Sequence, residues 1–227
     1  MNVVSRFLLL GIVSGSWCWA APLTVNNPSF ELPAQSPGGF TNGVVTGWTV
    51  NNTAGGVWRP AVGPNNGSNF FSSIPNLNQV LFVGFNGLAT DVNQSLGIAL
   101  LPNTTYTLSY FVGQRYDLPL STYTVALDAN STVLVSDSLG APTAGNFVMR
   151  AIVFNSGPSP VAGTLNIDIS ATGLKSGASA QAIFDLVTLD ASATVPEPAT
   201  LSFMGLGMFL LVLSHRHFRK TSSSKES

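Results

Sequence analysis

Charge is what this 227-residue sequence has least of. Asp, Glu, Lys and Arg make up 8% of it, against about 25% in an ordinary soluble protein. It has one cysteine and two histidines. The apolar share, 45%, is ordinary, so the chain lacks the high net charge and scarce apolar content of a disordered polypeptide. A formal charge of −1 argues against the basic patch of a nucleic-acid binder, and no nucleic-acid partner is expected.

The rare residues are also unevenly placed. Cys18, His215 and His217 all lie near the ends. Residues 21–195 contain no His and no Cys. That excludes Ser-His-Asp and Cys-His nucleophiles, His or Cys zinc sites and thiol redox chemistry from the middle of the chain. Disulfides are excluded as well, and a segment of this length builds a core large enough to do without them. Its basic residues are Arg59, Arg115, Arg150 and Lys175. Its acidic ones are Glu31, Asp91, Asp117, Asp128, Asp137, Asp168, Asp185 and Asp190, for a net charge of −4.

The two ends read as addresses. Arg6, the apolar run Phe7–Val13 and the small residues Cys18 and Ala20 have the layout of an export signal. The expectation is a signal helix over 1–20, cut by signal peptidase before Ala21, and a domain over 21–195. At the other end Pro196-Glu197-Pro198 precedes an apolar run, Ala199–Leu213, and the basic cluster Arg216, Arg219 and Lys220. Fifteen helical residues reach about 22 Å, short of a hydrocarbon core of about 30 Å. Snorkelling cations or local thinning would make it a single transmembrane helix of the inner membrane. The basic end is expected to be the cytoplasmic stop, leaving the domain outside. This segment, 196–220, resembles the PEP-CTERM sorting signal of Gram-negative bacteria. The resemblance implies an exosortase as partner, processing near Pro196, Glu197 and Pro198, and release or attachment at the cell surface. It also implies a link to exopolysaccharide and biofilm. The polar tail 221–227 departs from the usual pattern.

Between the addresses the sequence favours strands. Residues 21–195 hold one Glu and one Lys, with abundant Thr, Ser, Asn, Gly and Val. Tyr106, Leu108, Tyr110 and Val112 alternate with polar residues, as do Tyr123, Val125 and Leu127, and Leu165, Ile167 and Ile169. Period 2 marks half-buried strands. Further strands are expected at Gly47–Asn51, Gln79–Phe85, Thr132–Asp137, Asn146–Phe154 and Gln181–Asp190, separated by Gly/Pro/Asn clusters. The expected fold class is all-β, a two-sheet sandwich.

Four sequence stretches sharpen that expectation: Asn27–Glu31, Gly47-Trp48, Leu101–Leu108 and Ala182–Leu189. Their order and spacing resemble the galactose-binding-like jelly-roll family, which includes carbohydrate-binding modules. The resemblance implies that the first and last strands are neighbours. It also implies a structural calcium ion between an opening and a closing carboxylate, here Glu31 and Asp185. Strand parity places Asp185 on one face with Ile183, Val187 and Leu189. A carboxylate among apolar residues needs a cation or hydrogen-bond donors. Calcium and backbone N–H groups both stand as readings.

Three side chains are candidates for ligand binding: Trp58 in a glycine-rich stretch, and Arg115 and Tyr116 in a loop after a strand. Each has a plainer reading. Trp58 is buried on one, and Arg115 pairs with Asp117 on the other. Trp48 is expected in the core. Most of the Asp residues, on polar strand faces or next to turns, are expected to be solvated. No carboxylate pair with glycosidase spacing is legible. The domain is therefore expected not to be an enzyme. A surface protein that binds exopolysaccharide and a structural biofilm protein with no discrete site are the two open readings, ahead of a carboxylate-dependent glycoside-active enzyme.

Overall fold

The computed structural model describes residues 20–61 and 69–194. The expected signal helix, the transmembrane helix, the sorting motif Pro196–Pro198 and the basic stop Arg216, Arg219 and Lys220 lie outside the described residues. Among the described residues no helix is long and apolar enough to cross a membrane.

The described residues form strands β1 (Ala21–Leu23), β2 (Phe40–Asn42), β3 (Thr49–Val50), β4 (Gly55–Trp58), β5 (Val80–Val83), β6 (Thr90–Ala99), β7 (Thr104–Gly113), β8 (Tyr123–Ala129), β9 (Thr132–Asp137), β10 (Phe147–Asn155), β11 (Thr164–Ala171), β12 (Leu174–Lys175), β13 (Ala178–Ser179) and β14 (Ala182–Ala193). One sheet runs β10-β7-β14-β5-β4-β2, with β1 also on β14. The other runs β3-β6-β11-β8-β9, and β12 and β13 form a small hairpin. The first and last strands pair directly, Ala21 with Ala191 and Leu23 with Leu189.

The alternation seen in the sequence builds the core. Leu108, Tyr110 and Val112 of β7 face Val125 and Leu127 of β8 and Ile167 and Ile169 of β11 in one buried cluster. Tyr123 meets Phe184 edge-on across the sandwich, 5.5 Å between ring centres. Trp48 joins this core against Phe30, and its indole N–H donates to the Asn26 carbonyl. The buried Tyr110 hydroxyl donates to Asp137 Oδ2 at 2.6 Å. Asp137 is therefore an exception to the expectation that most of the Asp residues are solvated. An inward-facing tyrosine needs an acceptor, and the end of β9 supplies it.

Strand parity fails in β14. Asp185 lies opposite Phe111, but the next pair is Thr188 with Ser109, so one extra residue is inserted. Leu186 takes φ +46° at this bulge. A bulge of one residue exchanges the two faces of a strand. Before it Ala182 and Phe184 point into the core; after it Val187 and Leu189 do. Ile183 packs on the opposite side with Trp58, Phe71, Val80 and Phe82. Asp185 shares the side of Ile183, not that of Val187 and Leu189 as the plain alternation implied.

Strands β4 and β6 were not legible. β4 reads Gly-Gly-Val-Trp, yet all four residues are buried. A side chain on Gly56 would place Cβ 1.9 Å from the Thr41 carbonyl oxygen. Glycine is what lets β2 and β4 approach. In β6 the inward position after Val92 is Gln94, which accepts the Asn26 N–H and donates to the Asn26 and Gly47 carbonyls.

Candidate functional site: an aromatic cleft and a carboxylate clamp

The outer face of the larger sheet is aromatic where β2, β4 and β5 meet. Phe40 lies opposite Trp58, and Phe82 lies opposite Gly56 on one side and Ile183 on the other. The missing side chain at Gly56 leaves room for the Phe82 ring, whose tip would be 3.0 Å from a Cβ there. Above this face is a cleft of about 400 Å³. Trp58, Phe70 and Phe82 line its interior, and Phe40 and Phe85 stand at its mouth, 61% and 39% exposed. Asn42, Thr53, Gln181 and Arg115 supply its polar atoms.

Arg115 leaves the end of β7 and folds over this surface. Its guanidinium carbon is 4.9 Å from the Trp58 ring centre and 4.6 Å from that of Phe70. Its Nε and Nη2 donate to the two oxygens of Asp117 at 2.8 and 2.6 Å, and Nη1 donates to Gln181 Oε1 at 2.9 Å. These hydrogen bonds hold the Asp117 carboxyl below its ordinary range, against the upward push of partial burial. The bland pairing of Arg115 with Asp117 and the cleft location are thus both present. Trp58 is mostly buried but lines the cleft. Tyr116 is 55% exposed and is not among the lining residues. Its ring lies over Gly145, where a Cβ would sit 2.1 Å away, and its N–H donates to the Phe70 carbonyl. Phe40, Phe70, Phe82, Phe85 and Gln181 were missed. Isolated phenylalanines in Asn- and Gly-rich stretches carry no pattern that separates a cleft from a core.

Glu31 and Asp185 are brought to one segment. Asp185 Oδ2 accepts the N–H of Asn76 and its Oδ1 that of Leu186. Glu31 Oε1 accepts the N–H groups of Asn78 and Gln79 at 2.9 and 2.7 Å. The opening stretch reaches β14 just past the bulge, where Val187 N–H donates to the Pro28 carbonyl. Asp185 is fully buried. Burial pushes its carboxyl up to about 7; the two N–H donors pull down and nearby Glu31 adds to the rise. Among the described residues no cation pairs with either carboxylate, and the Arg115–Asp117 pair is the one salt bridge. The carboxylate oxygens of Glu31 and Asp185 are the kind of donor that calcium takes. No cluster of three or more His, Cys, Asp or Glu occurs among the described residues, so carbonyls and water would complete the shell.

On the smaller sheet Asp168 of β11 is half-buried. Burial first, then Asp91 and Asp128, push its carboxyl up to about 6. Asp91 and Asp128 accept from Asn51 and Asn166.

The PEP-CTERM protein-sorting motif matches residues 194–217. That motif implies exosortase-sorted export to a cell-surface or extracellular location. No curated protein matches the sequence. Among solved structures, a Stig cyclase from Fischerella sp. TAU, in complex with (3Z)-3-(1-methyl-2-pyrrolidinylidene)-3H-indole, is 23% identical, with a TM-score of 0.64 over 77% of this chain and 100% of that one. A cyclase from the same source, in complex with 4-(1H-indol-3-yl)butan-2-one, is 21% identical, with a TM-score of 0.65 over 78% and 100%. The carbohydrate-binding module TmCBM61, with β-1,4-galactotriose, is more distant: 15% identical, TM-score 0.46, over 73% and 95%. The first two establish the fold as a jelly-roll-like sandwich. Cyclases are enzymes, so the expectation that the domain is not one loses its support. The HpiC1 cyclase pattern spans residues 21–190, and the chain belongs to the HpiC1-like family.

Proposed function

We propose that this is an exported surface protein whose sandwich binds exopolysaccharide in the aromatic cleft. One observation carries the reading: two partly exposed rings, Phe40 and Phe85, flank a preformed, mainly apolar cleft with a few polar groups inside. Sugar rings offer apolar C–H faces to such rings and hydroxyls to groups such as Gln181, Asn42 and Thr53. Trp58 and Arg115 form the cleft wall, and Tyr116 stands beside the same loop. A structural calcium between Glu31 and Asp185 would neutralise the clamp that positions residues 76–79. Pull-down of host exopolysaccharide by the purified domain tests the reading. Retention that survives Phe40→Ala with Phe85→Ala sinks the cleft reading, and no retention by the wild type leaves a structural biofilm role.

Sorting by exosortase adds an address to this function. Mass spectrometry of the protein from its host is expected to show cleavage near Ala20 and near Pro196–Pro198, after passage through the inner membrane. An intact C-terminus in the surface fraction would refute the processing.

Family membership favours a second reading, cyclisation of a small neutral aromatic compound in the same cleft. Competition between 4-(1H-indol-3-yl)butan-2-one and polysaccharide, together with product formation from an indole-bearing alkene, distinguishes the two.

A further inference from the structure

We infer that the aromatic cleft selects electrically neutral ligands, which on the glycan reading above means neutral sugar residues over uronates. Arg115 looks at first like the residue that would recruit an acidic polysaccharide. A carboxylate is recognised by two parallel N–H groups of a guanidinium fork. In Arg115 that fork is already filled: Nε and Nη2 both donate to Asp117. Nη1 is turned to Gln181. The guanidinium faces are against Trp58 and Phe70, and the side chain is only 14% exposed.

Among the described residues no other charge lines the cleft. Arg115 is the one charged residue among the described lining residues. Residues 62–68, which join its walls in sequence, contain no Asp, Glu, Lys, Arg or His. Arg59 follows Trp58 but donates to the Gln35 carbonyl and lines no part of the cleft. Glu31 and Asp185 are bound to the main chain of 76–79. A uronate entering the cleft would shed water from its carboxylate and meet a cation already neutralised by Asp117. Desolvating an ion without a partner is unfavourable. A neutral ring laid on Phe40 or Phe85 carries no such cost. Asp117, outside the cleft, is then a specificity-determining residue: it keeps Arg115 flat and uncharged in effect.

The test is an array of bacterial polysaccharides with neutral and uronate-rich members, probed with the wild-type domain and with Asp117→Asn. The wild type is expected to bind neutral members at least about tenfold more tightly, as one unpaired charge-assisted contact implies. Asp117→Asn is expected to raise binding to uronate-rich members by roughly tenfold, and the gain should fade with salt, as a freed cation requires. Equal or tighter binding of uronate-rich members by the wild type overturns the inference and leaves the glycan reading intact. No gain in the variant, where it folds, overturns the role of Asp117. The wild-type comparison decides if the variant does not fold. Binding to no member refutes the glycan reading, and this inference with it.

Discussion

Asp185 Oδ2 accepts the backbone N–H of Asn76 at 2.8 Å, joining the last strand to a loop 109 residues earlier. Asp185 stands just before the bulge at Leu186, on the side of β14 away from the inter-sheet core, while the bulge returns Val187 and Leu189 to that core. Replacing Asp185 by Ala leaves the Asn76 and Leu186 N–H groups without their acceptor. The expected loss is about 1–3 kcal/mol, read from urea midpoints. Asn keeps one acceptor oxygen and should cost less. An alanine variant as stable as the wild type would show that the clamp contributes nothing.

Calcium is expected to raise the melting temperature of the chelator-treated domain at pH 7.5. A calcium ion held by Glu31 and Asp185 would bind only the folded arrangement, and ligands that favour the native state stabilise it by mass action. The rise should vanish in both Glu31→Ala and Asp185→Ala. A thermal melt unmoved by chelator and by added calcium means the clamp works by hydrogen bonds alone.

Asp168 is expected to make stability fall as pH rises from about 4 to about 6. Its folded carboxyl holds a proton more tightly than the unfolded one, so the folded state binds more protons in that window and the slope is negative. The contribution is largest at the acid end and is lost as pH passes the folded value. Asp168→Asn should flatten that part of the profile and raise the urea midpoint at pH 7. A variant with an unchanged slope would contradict the assignment.

Phe40→Ala tests the cleft without disturbing the core, because the ring is mostly exposed. Polysaccharide affinity is expected to fall by about two- to tenfold, the scale of one lost stacking contact. The melting temperature should stay nearly constant. A large drop in stability would instead make Phe40 a core residue.

Gly56→Ala is expected to destabilise the domain by about 1–3 kcal/mol. The new Cβ would meet the Thr41 carbonyl oxygen and the tip of the Phe82 ring, so β2 must separate from β4. Ligand affinity should fall with stability, because Phe40 and Trp58 sit opposite each other on those strands. Calorimetry and a binding titration on one preparation check both.

Strands with unbroken alternation were legible, and β7, β8 and β11 appear where Tyr106–Val112, Tyr123–Leu127 and Leu165–Ile169 placed them. The pairing of the first and last strands was implied by resemblance and is present. β4 and β6 were hidden because Gly55, Gly56 and Gln94 do not look like strand interior. Their fitness depends on what lies opposite: Thr41 for Gly56, and Asn26 and Gly47 for Gln94. At the site, Trp58 and Arg115 could be singled out by residue type and local context, and Glu31 and Asp185 by the resemblance to the jelly-roll family. The phenylalanines could not, since Phe40, Phe70, Phe82 and Phe85 carry no local mark of which face they occupy.

What the sequence determined by itself is the chemistry available. Residues 21–195 have no thiol and no imidazole, strand periodicity is written along the chain, and the sorting motif follows it. These are local properties, readable from neighbours a few positions apart. Tertiary structure decided which side Asp185 faces, that Arg115 is neutralised by Asp117 over Trp58, and that rings from four separate segments share one cleft. Each of these depends on strand register and on loops that cross the sheet. A single inserted residue in β14 reverses a face, and period 2 alone carries no record of where that insertion falls.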